Sequence, residues 1–572
     1  MSNPLSRFAC VIILAVLLAF RFQHIPNQEN GSLNLTTWDA FGYYMYLPAT
    51  FIYHDTRELK WLPEVDIKYN LTGGKLYQAG VAKNGRYVFK YLGGVAILQI
   101  PFFLIGHAIA HITGAPADGF SWPYQYALAF GVIIWVMFGI FLLRKLLLRF
   151  FDDRVTAITL LLLLLASNFI QYVSVDGAMS HAWIFPLYPC ILLASIRWHE
   201  TPNRKWAFLI GGIIGLATIA RPTEAVMLFI PLFWNTHTKE DAKNKWNLVK
   251  QNKNQFLPLV AGGLIGILPQ LIYWKYSSGH FVYDVGSKWV FANPYFRVLF
   301  GFEKGWFIYT PVALLMVLGF FFLKKYPFRK SVLIFCLLNM WIIMAWSDWK
   351  YGASYSCRAM VQSYPVFALA LAALIARVEK NWQKVSLYTI GIYLIAVNLF
   401  QIGQYNKTIL HYDEMNRKYY GKIYLNGSPS ALDFSLLDNN DYLNNEKDFS
   451  SKNLFYKSFH DNISCSSGNP IELSNTLLKP NCKWIKVNCY IKAKTGQRTA
   501  NLRMNLLHNN EIIKTAQVRL FYPTSSPTKW NEHAFYIELP ENSGIDRAVL
   551  NLESFSEFHG QLFGLQITGF TN

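Results

Sequence analysis

Thr37-Trp38-Asp39-Ala40-Phe41-Gly42-Tyr43-Tyr44-Met45-Tyr46-Leu47-Pro48 follows the first hydrophobic segment of the chain, residues 5–20. One acid stands there among aromatic and apolar side chains, at the point where the chain leaves a membrane. Partial desolvation disfavours a charged carboxylate, so Asp39 is expected to have a raised pKa, in the range useful for proton transfer. An interfacial aromatic belt with one solvated acid has the same local pattern. The rest of the chain decides between these readings.

Working outward, the composition is that of a membrane protein. Of 572 residues, 53% are hydrophobic and 16% aromatic, and the apolar residues come in long runs. The mean hydropathy of only +0.19 averages these runs with a polar tail. A net charge of +19 would also suit a nucleic-acid binder. The basic residues, however, sit in short clusters between hydrophobic runs, which is the positive-inside pattern. They therefore report topology and contact with anionic lipid, with no nucleic-acid partner. The run 5–20 follows Arg7 and ends in Phe20-Arg21-Phe22-Gln23, which lacks a small-residue cleavage site. It is expected to remain as an uncleaved first span.

Further spans are expected near 122–143, 155–173, 181–197, 206–220, 223–234, 256–276, 305–323, 331–346, 359–376 and 385–403, about 11 transmembrane helices in all. Basic clusters at 144–154, 197–205, 239–253, 324–330 and 377–384 fall at every second connection, so all can be cytoplasmic together. The connections 174–180, 221–224, 277–305 and 347–358 then face outward, as does the tail after 403. The apolar run 92–112, broken by Gly93, Gly94 and Pro101, has two placements. If it crosses, Asp39 is cytoplasmic and cannot meet the outward connections. If it lies in the interface, Asp39 joins them in a long first outward loop, 23–121. Arg7, Pro101 and the paired glycines favour the second.

The expected fold is thus a polytopic α-helical membrane protein with juxtamembrane helices in the first outward loop and a C-terminal extracytoplasmic β-sandwich-like domain. The domains expected are 1–403 in the membrane, 404–460 as a helical and loop linker, and 461–572 as the β domain. Alternating runs at 484–491, 500–507, 517–521, 533–539, 548–552 and 561–567, with turn signals between them, carry the last assignment. Cys465, Cys482 and Cys489 lie in this tail, where two of the three can pair if it is extracytoplasmic. Cys10, Cys190, Cys336 and Cys357 lie in or beside hydrophobic runs as packing residues.

With the interfacial placement, Asp39, Lys90, Asp176, His181, Arg221, Glu224, Glu303, Lys304, Asp348, Lys350 and Arg358 gather on one face. Ionisable residues at helix ends beside a bilayer are candidates for a substrate path. Singly, each has a plain structural explanation: Arg221 before Pro222 as an anchor, His181 as a helix cap, Glu303 and Lys304 as solvated charges. Together they supply carboxylates for proton transfer or metal binding and cations for a phosphate.

Several stretches resemble the GT-C class of membrane glycosyltransferases, which includes protein O-mannosyltransferases and the lipid A aminoarabinose transferase. They are Asp39 after the first span; Phe89-Lys90-Tyr91-Leu92-Gly93-Gly94 leading into an apolar stretch; Asp176-Gly177-Ala178-Met179-Ser180-His181; Ala220-Arg221-Pro222-Thr223-Glu224; Glu303-Lys304-Gly305-Trp306; and Trp346-Ser347-Asp348 through Cys357-Arg358. The resemblance covers residues 1–403. It departs in keeping one acid where the class has a pair, and in lacking the prolines of that class's Lys-Pro-Pro motif.

The resemblance implies an inverting glycosyltransferase of a bacterial inner membrane, with a cytoplasmic N-terminus and a periplasmic C-terminal domain. Its donor is a sugar on a polyprenyl phosphate and its acceptor a lipid, glycan or protein hydroxyl. Asp39 is then the base, with Asp176 as a second catalytic acid. Lys90, Arg221, Lys304 and Arg358 are the candidates to meet the donor phosphate. Tyr43, Tyr44, His181, Glu303 and Asp348 orient the acceptor, and the tail either holds that acceptor or contacts a partner. Asp39, Asp176 and His181 are alternatively ligands for a divalent metal, Mg, Mn or Zn. Competing readings are a lipid-linked sugar flippase or other transporter, a polysaccharide polymerase or ligase, and a non-enzymatic scaffold. The absence of an internal repeat and the gathering of charge at one face speak against transport and scaffolding.

Overall fold

A computed structural model describes residues 3–24, 33–458, 461–478, 481–522, 526, 529–541 and 544–571. Residues 25–32 of the first outward loop lie outside this set. The chain forms two compact units, Met1–Leu399 and Phe400–Asn572.

The first unit is helical. Six helices of the described residues are long and apolar enough to cross a membrane: Pro4–Gln23, Gly94–Thr113, Trp122–Leu147, Lys253–Ser278, Arg358–Ile375 and Asn381–Asn406, the last running past the unit boundary. The other expected spans are shorter or interrupted. The 181–197 segment is split into Ser180–Ile184 and Leu187–Glu200, with Pro186 between them lacking the N–H that would continue the ladder. Around 223–234 there is a 3-10 turn, Pro222–Leu228, followed by Phe229–Phe233. The 305–323 segment is divided at Pro311 into Trp306–Tyr309, Val312–Leu318 and a 3-10 turn. Starts are marked by local chemistry: the side chains of Asp152 and Asn203 accept from Val155 N and Trp206 N, satisfying donors that the first helical turn leaves open.

Glycine sets the closest helix contact. A Cβ at Gly211 would lie 1.9 Å from Leu259 O, and one at Gly262 only 2.1 Å from Phe208 O. The Arg204–Ala220 and Phe256–Ser278 helices therefore touch backbone to backbone, as small residues allow within membranes. Gly211→Ala is expected to destabilise the protein by about 1–3 kcal/mol, read as a lower thermal midpoint in detergent. An unchanged midpoint would show that the pair can separate at no cost.

The Gly94–Thr113 helix lies along one end of this bundle. A Cβ at Gly94 would meet Ala220 N at 2.3 Å, where the Arg204–Ala220 helix finishes, and one at Gly106 would meet Tyr124 Cα at 2.8 Å, where the Trp122–Leu147 helix begins. The first connection is tied to the same end. It carries the hairpin β1 (Ala79–Val81) and β2 (Tyr87–Phe89). Phe89 N donates to Tyr273 Oη (2.9 Å), Gly93 N to Gln270 Oε1 (2.8 Å), and Asn84 Nδ2 to Ser277 O (2.9 Å). The 277–305 and 347–358 connections join there as well: Ser347 N donates to Lys288 O (3.0 Å) and Val290 N to Ala345 O (2.6 Å). The first connection and these two thus share one end of the unit.

The second unit opens with the short helices Arg417–Ile423 and Ala431–Ser435. Nine strands follow among the described residues: β3 (Ser450–Lys457), β4 (Asp461–Cys465), β5 (Ile471–Leu477), β6 (Cys482–Thr495), β7 (Ala500–His508), β8 (Glu511–Arg519), β9 (Asn531–Glu538), β10 (Arg547–Ser554) and β11 (Phe558–Thr571). The alternating runs read from sequence fall on the last six. Strands β3, β4 and β5 were missed; β3 lies within 404–460, and all three are rich in Asn, Ser and Asp, which weaken the alternation signal. One sheet has the order β5-β10-β7-β8 and the other β3-β11-β6-β9, with β4 on β11. Alternate residues of both point into one core, among them Ile485, Val487, Ile491, Leu502, Met504, Leu550, Leu552 and Ile567. The seven cysteines are free thiols.

Candidate active site

Asp39 sits in the first turn of the Trp38–Tyr44 helix, where the helix dipole favours an acid. Trp38 before it has a positive φ of 54°. Its ring packs over Gly73, where a Cβ would come within 2.2 Å of it, and the backbone N–H of Trp38 donates to Leu71 O at 2.9 Å. The carboxylate of Asp39 accepts three hydrogen bonds, which leaves one lone pair of Oδ2 open. Arg358 Nη2 donates to Oδ2 at 2.5 Å, and the hydroxyls of Tyr91 and Tyr77 donate to Oδ1 at 2.6 and 2.8 Å. Burial alone would raise the carboxyl, as its sequence setting suggested. The Arg358 guanidinium and the two phenols outweigh burial and hold Asp39 below its ordinary value. The expected upward shift is therefore corrected, because the deciding cation stands 319 residues further along the chain. Burial and the Asp39 charge push both phenols up, so they remain donors.

Arg358 is presented by a buried, strained connection. Tyr351 and Ser356 have positive φ, 57° and 56°. Tyr355 is clamped by Tyr172, whose hydroxyl accepts from Tyr355 N (2.9 Å) and donates to Tyr355 O (3.0 Å). Asn168 Nδ2 donates to Cys357 O at 3.2 Å. Lys304 Nζ donates to Gly352 O (2.5 Å) and Ser354 Oγ (3.1 Å). Lys304 thus holds the connection that carries Arg358.

Two more cations face the same space. Lys90, just after β2, lies 5.7 and 5.9 Å from the ring centres of Tyr77 and Tyr91, and among the described residues it has no carboxylate partner. Arg221 is extended, φ −152° and ψ 128°, as the following Pro222 requires. Its Nη1 lies 3.2 Å from His181 Nδ1. Behind His181 is a buried polar chain. His181 Nδ1 is 2.8 Å from Gln362 Oε1, Gln362 Nε2 donates to Glu224 Oε1 at 3.1 Å, and Tyr188 Oη donates to Glu224 Oε2 at 2.5 Å.

These groups line a cavity of about 580 Å³ that holds Asp39, Tyr43, Lys90, His181, Arg221, Asp348 and Arg358 together. Four expected site residues are elsewhere. Tyr44 is fully buried and donates to Gly119 O, because the helix turns it away from the face that carries Asp39 and Tyr43. Lys304 is spent on Gly352 O and Ser354 Oγ. Glu303 does not line the cavity. Asp176 accepts from Gln171 Nε2 at 3.0 Å outside it; burial pushes its carboxyl up, against the Gln171 bond and the charges of Arg358 and Arg21. Among the described residues no three His, Cys, Asp or Glu side chains are grouped to hold a metal. Asp39, Asp176 and His181 do not form a ligand set, since Arg358 and two phenols occupy Asp39 and Gln362 occupies His181 Nδ1.

Sequence reasoning missed Tyr77, Tyr91 and Gln362, together with the aromatic wall of Trp274, Tyr283, Trp289 and Trp346. Tyr91 had a signal, being next to Lys90. Gln362, inside an apolar run, had only its polarity.

The fold and the site define a helical membrane protein with its ionisable groups converging on a cavity at one end of the bundle. No family model matches the chain, and no curated protein matches it in sequence. Among solved structures it is similar to ArnT of Cupriavidus metallidurans bound to undecaprenyl phosphate, with TM-score 0.43 and 14% identity over 73% of this chain and 68% of that one. It is similar to the oligosaccharyltransferase of Archaeoglobus fulgidus in complex with Zn and sulfate, with TM-score 0.41 and 16% identity over 72% of this chain and 54% of that one. It is also similar to the arabinosyltransferase EmbB of Mycobacterium smegmatis, with TM-score 0.40 and 10% identity over 97% of this chain and 64% of that one.

Proposed function

We propose that this protein is an inverting glycosyltransferase that moves a sugar, of hexose type, from a polyprenyl-phosphate donor to an acceptor hydroxyl of a lipid, glycan or protein. The observation that carries the reading is the cavity itself. An ionised carboxylate, Asp39, shares it with two cations, Lys90 and Arg221, that have no carboxylate contact among the described residues. A polyprenyl-phosphate sugar is a phosphodiester with one negative charge. As the bond from the anomeric carbon to the phosphate oxygen breaks, the leaving phosphate gains a second charge, which Lys90 and Arg221 meet. The acceptor oxygen bonds to the anomeric carbon from the opposite side, which inverts it. Its proton passes to the Asp39 carboxylate, so the charges balance.

The low pKa of Asp39 keeps it ionised and ready at neutral pH. The phosphate, bound beside it, competes for the Arg358 guanidinium, and the proton affinity of Asp39 rises as that partner is shared. Asp348 and Tyr43 sit where they can turn the acceptor. The aromatic wall suits both sugar faces and the first isoprene units. No step is assigned to a metal, because the candidate ligands do not converge.

The five long helices other than Gly94–Thr113, with the segments 153–175, 180–200, 204–220, 222–233, 306–322 and 329–344, make the eleven crossings. The alternation of basic clusters supports a cavity on the periplasmic side of a bacterial inner membrane.

The test uses the full protein in lipid vesicles with radiolabelled polyprenyl-phosphate sugars and a panel of lipid, oligosaccharide and peptide acceptors. One donor is expected to release its polyprenyl phosphate. Lys90→Met is expected to lower kcat/KM for it about 10- to 100-fold, the loss of one charged contact to phosphate. Donor that crosses the bilayer unchanged would replace this reading with a flippase.

A further inference from the structure

Gln362 and Glu224 are buried behind the cavity and have no part in the chemistry above. Gln362 is 1% exposed and Glu224 fully buried. They form an ordered chain with His181, and the order of donors along it is forced from one end. Glu224 is surrounded by donors: Tyr188 Oη on Oε2 (2.5 Å), and Gln362 Nε2 (3.1 Å) and Thr223 Oγ1 (3.3 Å) on Oε1. Three such partners suit an ionised Glu224, and an ionised carboxylate only accepts, so the Gln362 amide presents its nitrogen to Glu224. Its oxygen then faces His181 Nδ1 at 2.8 Å, and two lone pairs at that distance would repel. The imidazole must therefore carry its proton on Nδ1.

Arg221 opposes this arrangement. Its Nη1 is 3.2 Å from the same ring nitrogen and would donate there if Nδ1 were bare. The other tautomer would need the Gln362 amide to turn over, setting its oxygen against Glu224 Oε1. The carboxylate forbids that turn. Arg358, Tyr172 and Tyr188 complete the charged and titratable groups around the ring and its chain.

We propose that Glu224, acting through Gln362, is a positioning residue that sets His181 as the Nδ1–H tautomer, with Nε2 left as a hydrogen-bond acceptor for a substrate hydroxyl in the cavity. The proposal rests on the glycosyl-transfer reading for the identity of that hydroxyl. It assigns His181 the task of turning the acceptor, while Asp39 takes the proton. It also makes the cavity selective for ligands that donate at this point, since a bare ring nitrogen rewards a hydroxyl and offers nothing to an ether or ester oxygen.

The test reads the tautomer directly and needs no turnover. Full-length protein labelled with 15N-histidine in lipid gives one signal that disappears in His181→Gln and so belongs to His181. The wild-type spectrum at neutral pH is expected to show a protonated Nδ1 and a bare Nε2. A proton on Nε2, or on both nitrogens, would overturn the proposal without touching the transferase reading. In Glu224→Gln the amide at 362 is free to turn, and the His181 signal is expected to move toward the Nε2–H form. Turnover of the donor used by the wild type should then fall about 10²-fold, with its donor KM unchanged within about twofold. An unmoved signal with unchanged kcat would also overturn it. If Glu224→Gln does not fold, the wild-type spectrum alone decides.

Discussion

Asp39→Asn is expected to lower glycosyl transfer about 10³-fold while donor binding is kept or tightened. The amide has the shape of the carboxylate and can still accept from Tyr91 and Tyr77, which bond to Oδ1 at 2.6 and 2.8 Å. What it loses is the ability to take the acceptor's proton. It also leaves the Arg358 guanidinium without its counter-charge, so an anionic phosphate meets a stronger positive site. The result is a split: kcat falls and KM for the donor does not rise. Initial rates and donor binding, measured side by side in the same vesicles, show whether the split occurs. Turnover within tenfold of wild type would remove Asp39 as the base and leave the cavity with a different proton acceptor. A loss confined to KM would make Asp39 a binding group only.

Arg358→Gln is expected to destabilise the protein by about 3 kcal/mol at pH 7, the scale for removing one partner of a largely buried pair. The side chains of Arg358 and Asp39 are 11% and 24% exposed, so solvent screens the remaining charge little. The pH dependence follows from the direction of the Asp39 shift. In the wild type its pKa is held below the unfolded value. The pair therefore contributes stability at every pH above the unfolded carboxylate range, and that stability is lost only as pH falls through the lower, folded pKa. Without Arg358 the burial effect is left opposed only by the phenols, and the Asp39 pKa moves up. The stability gap between variant and wild type should then be widest near neutral pH and shrink on acidification, as the variant's carboxyl takes up a proton. Thermal unfolding in detergent between pH 4 and 8 checks this. A gap of constant size would mean that Arg358 acts through packing alone. Transfer activity should follow: the acid limb of the variant's profile lies at higher pH than that of the wild type.

Much of the fold was legible because it depends on patterns that survive without neighbours. Long apolar runs, basic clusters at every second connection and period-two alternation at 484–491 or 500–507 are properties of short windows, and they marked helices and strands. Windows also marked the ionisable residues, because charge beside an apolar run is unusual wherever the chain goes next. The broken segments around Pro186, Pro222 and Pro311 were harder, since hydropathy averages over a proline that the backbone cannot ignore. Strands β3, β4 and β5 were hidden because their polar residues carry little alternation, and their partners lie elsewhere in the tail.

The sequence by itself determined a helical membrane protein with a β-rich tail, and it marked Asp39, Tyr43, Tyr44, Lys90, Asp176, His181, Arg221, Glu303, Lys304, Asp348 and Arg358 as candidates for the site. Only the tertiary structure decided which of them share one cavity. Asp39 and Arg358 are 319 residues apart, and their pairing reverses the pKa shift that the surroundings of Asp39 alone suggest. The same holds for Lys304, drawn off to Gly352 O and Ser354 Oγ, and for Gln362, which gains meaning only between His181 and Glu224. Burial can be read from neighbours in the chain because it scales with local apolar content. The sign of an electrostatic shift cannot, because it depends on the one charge within a few ångströms, and that charge is brought there by the fold.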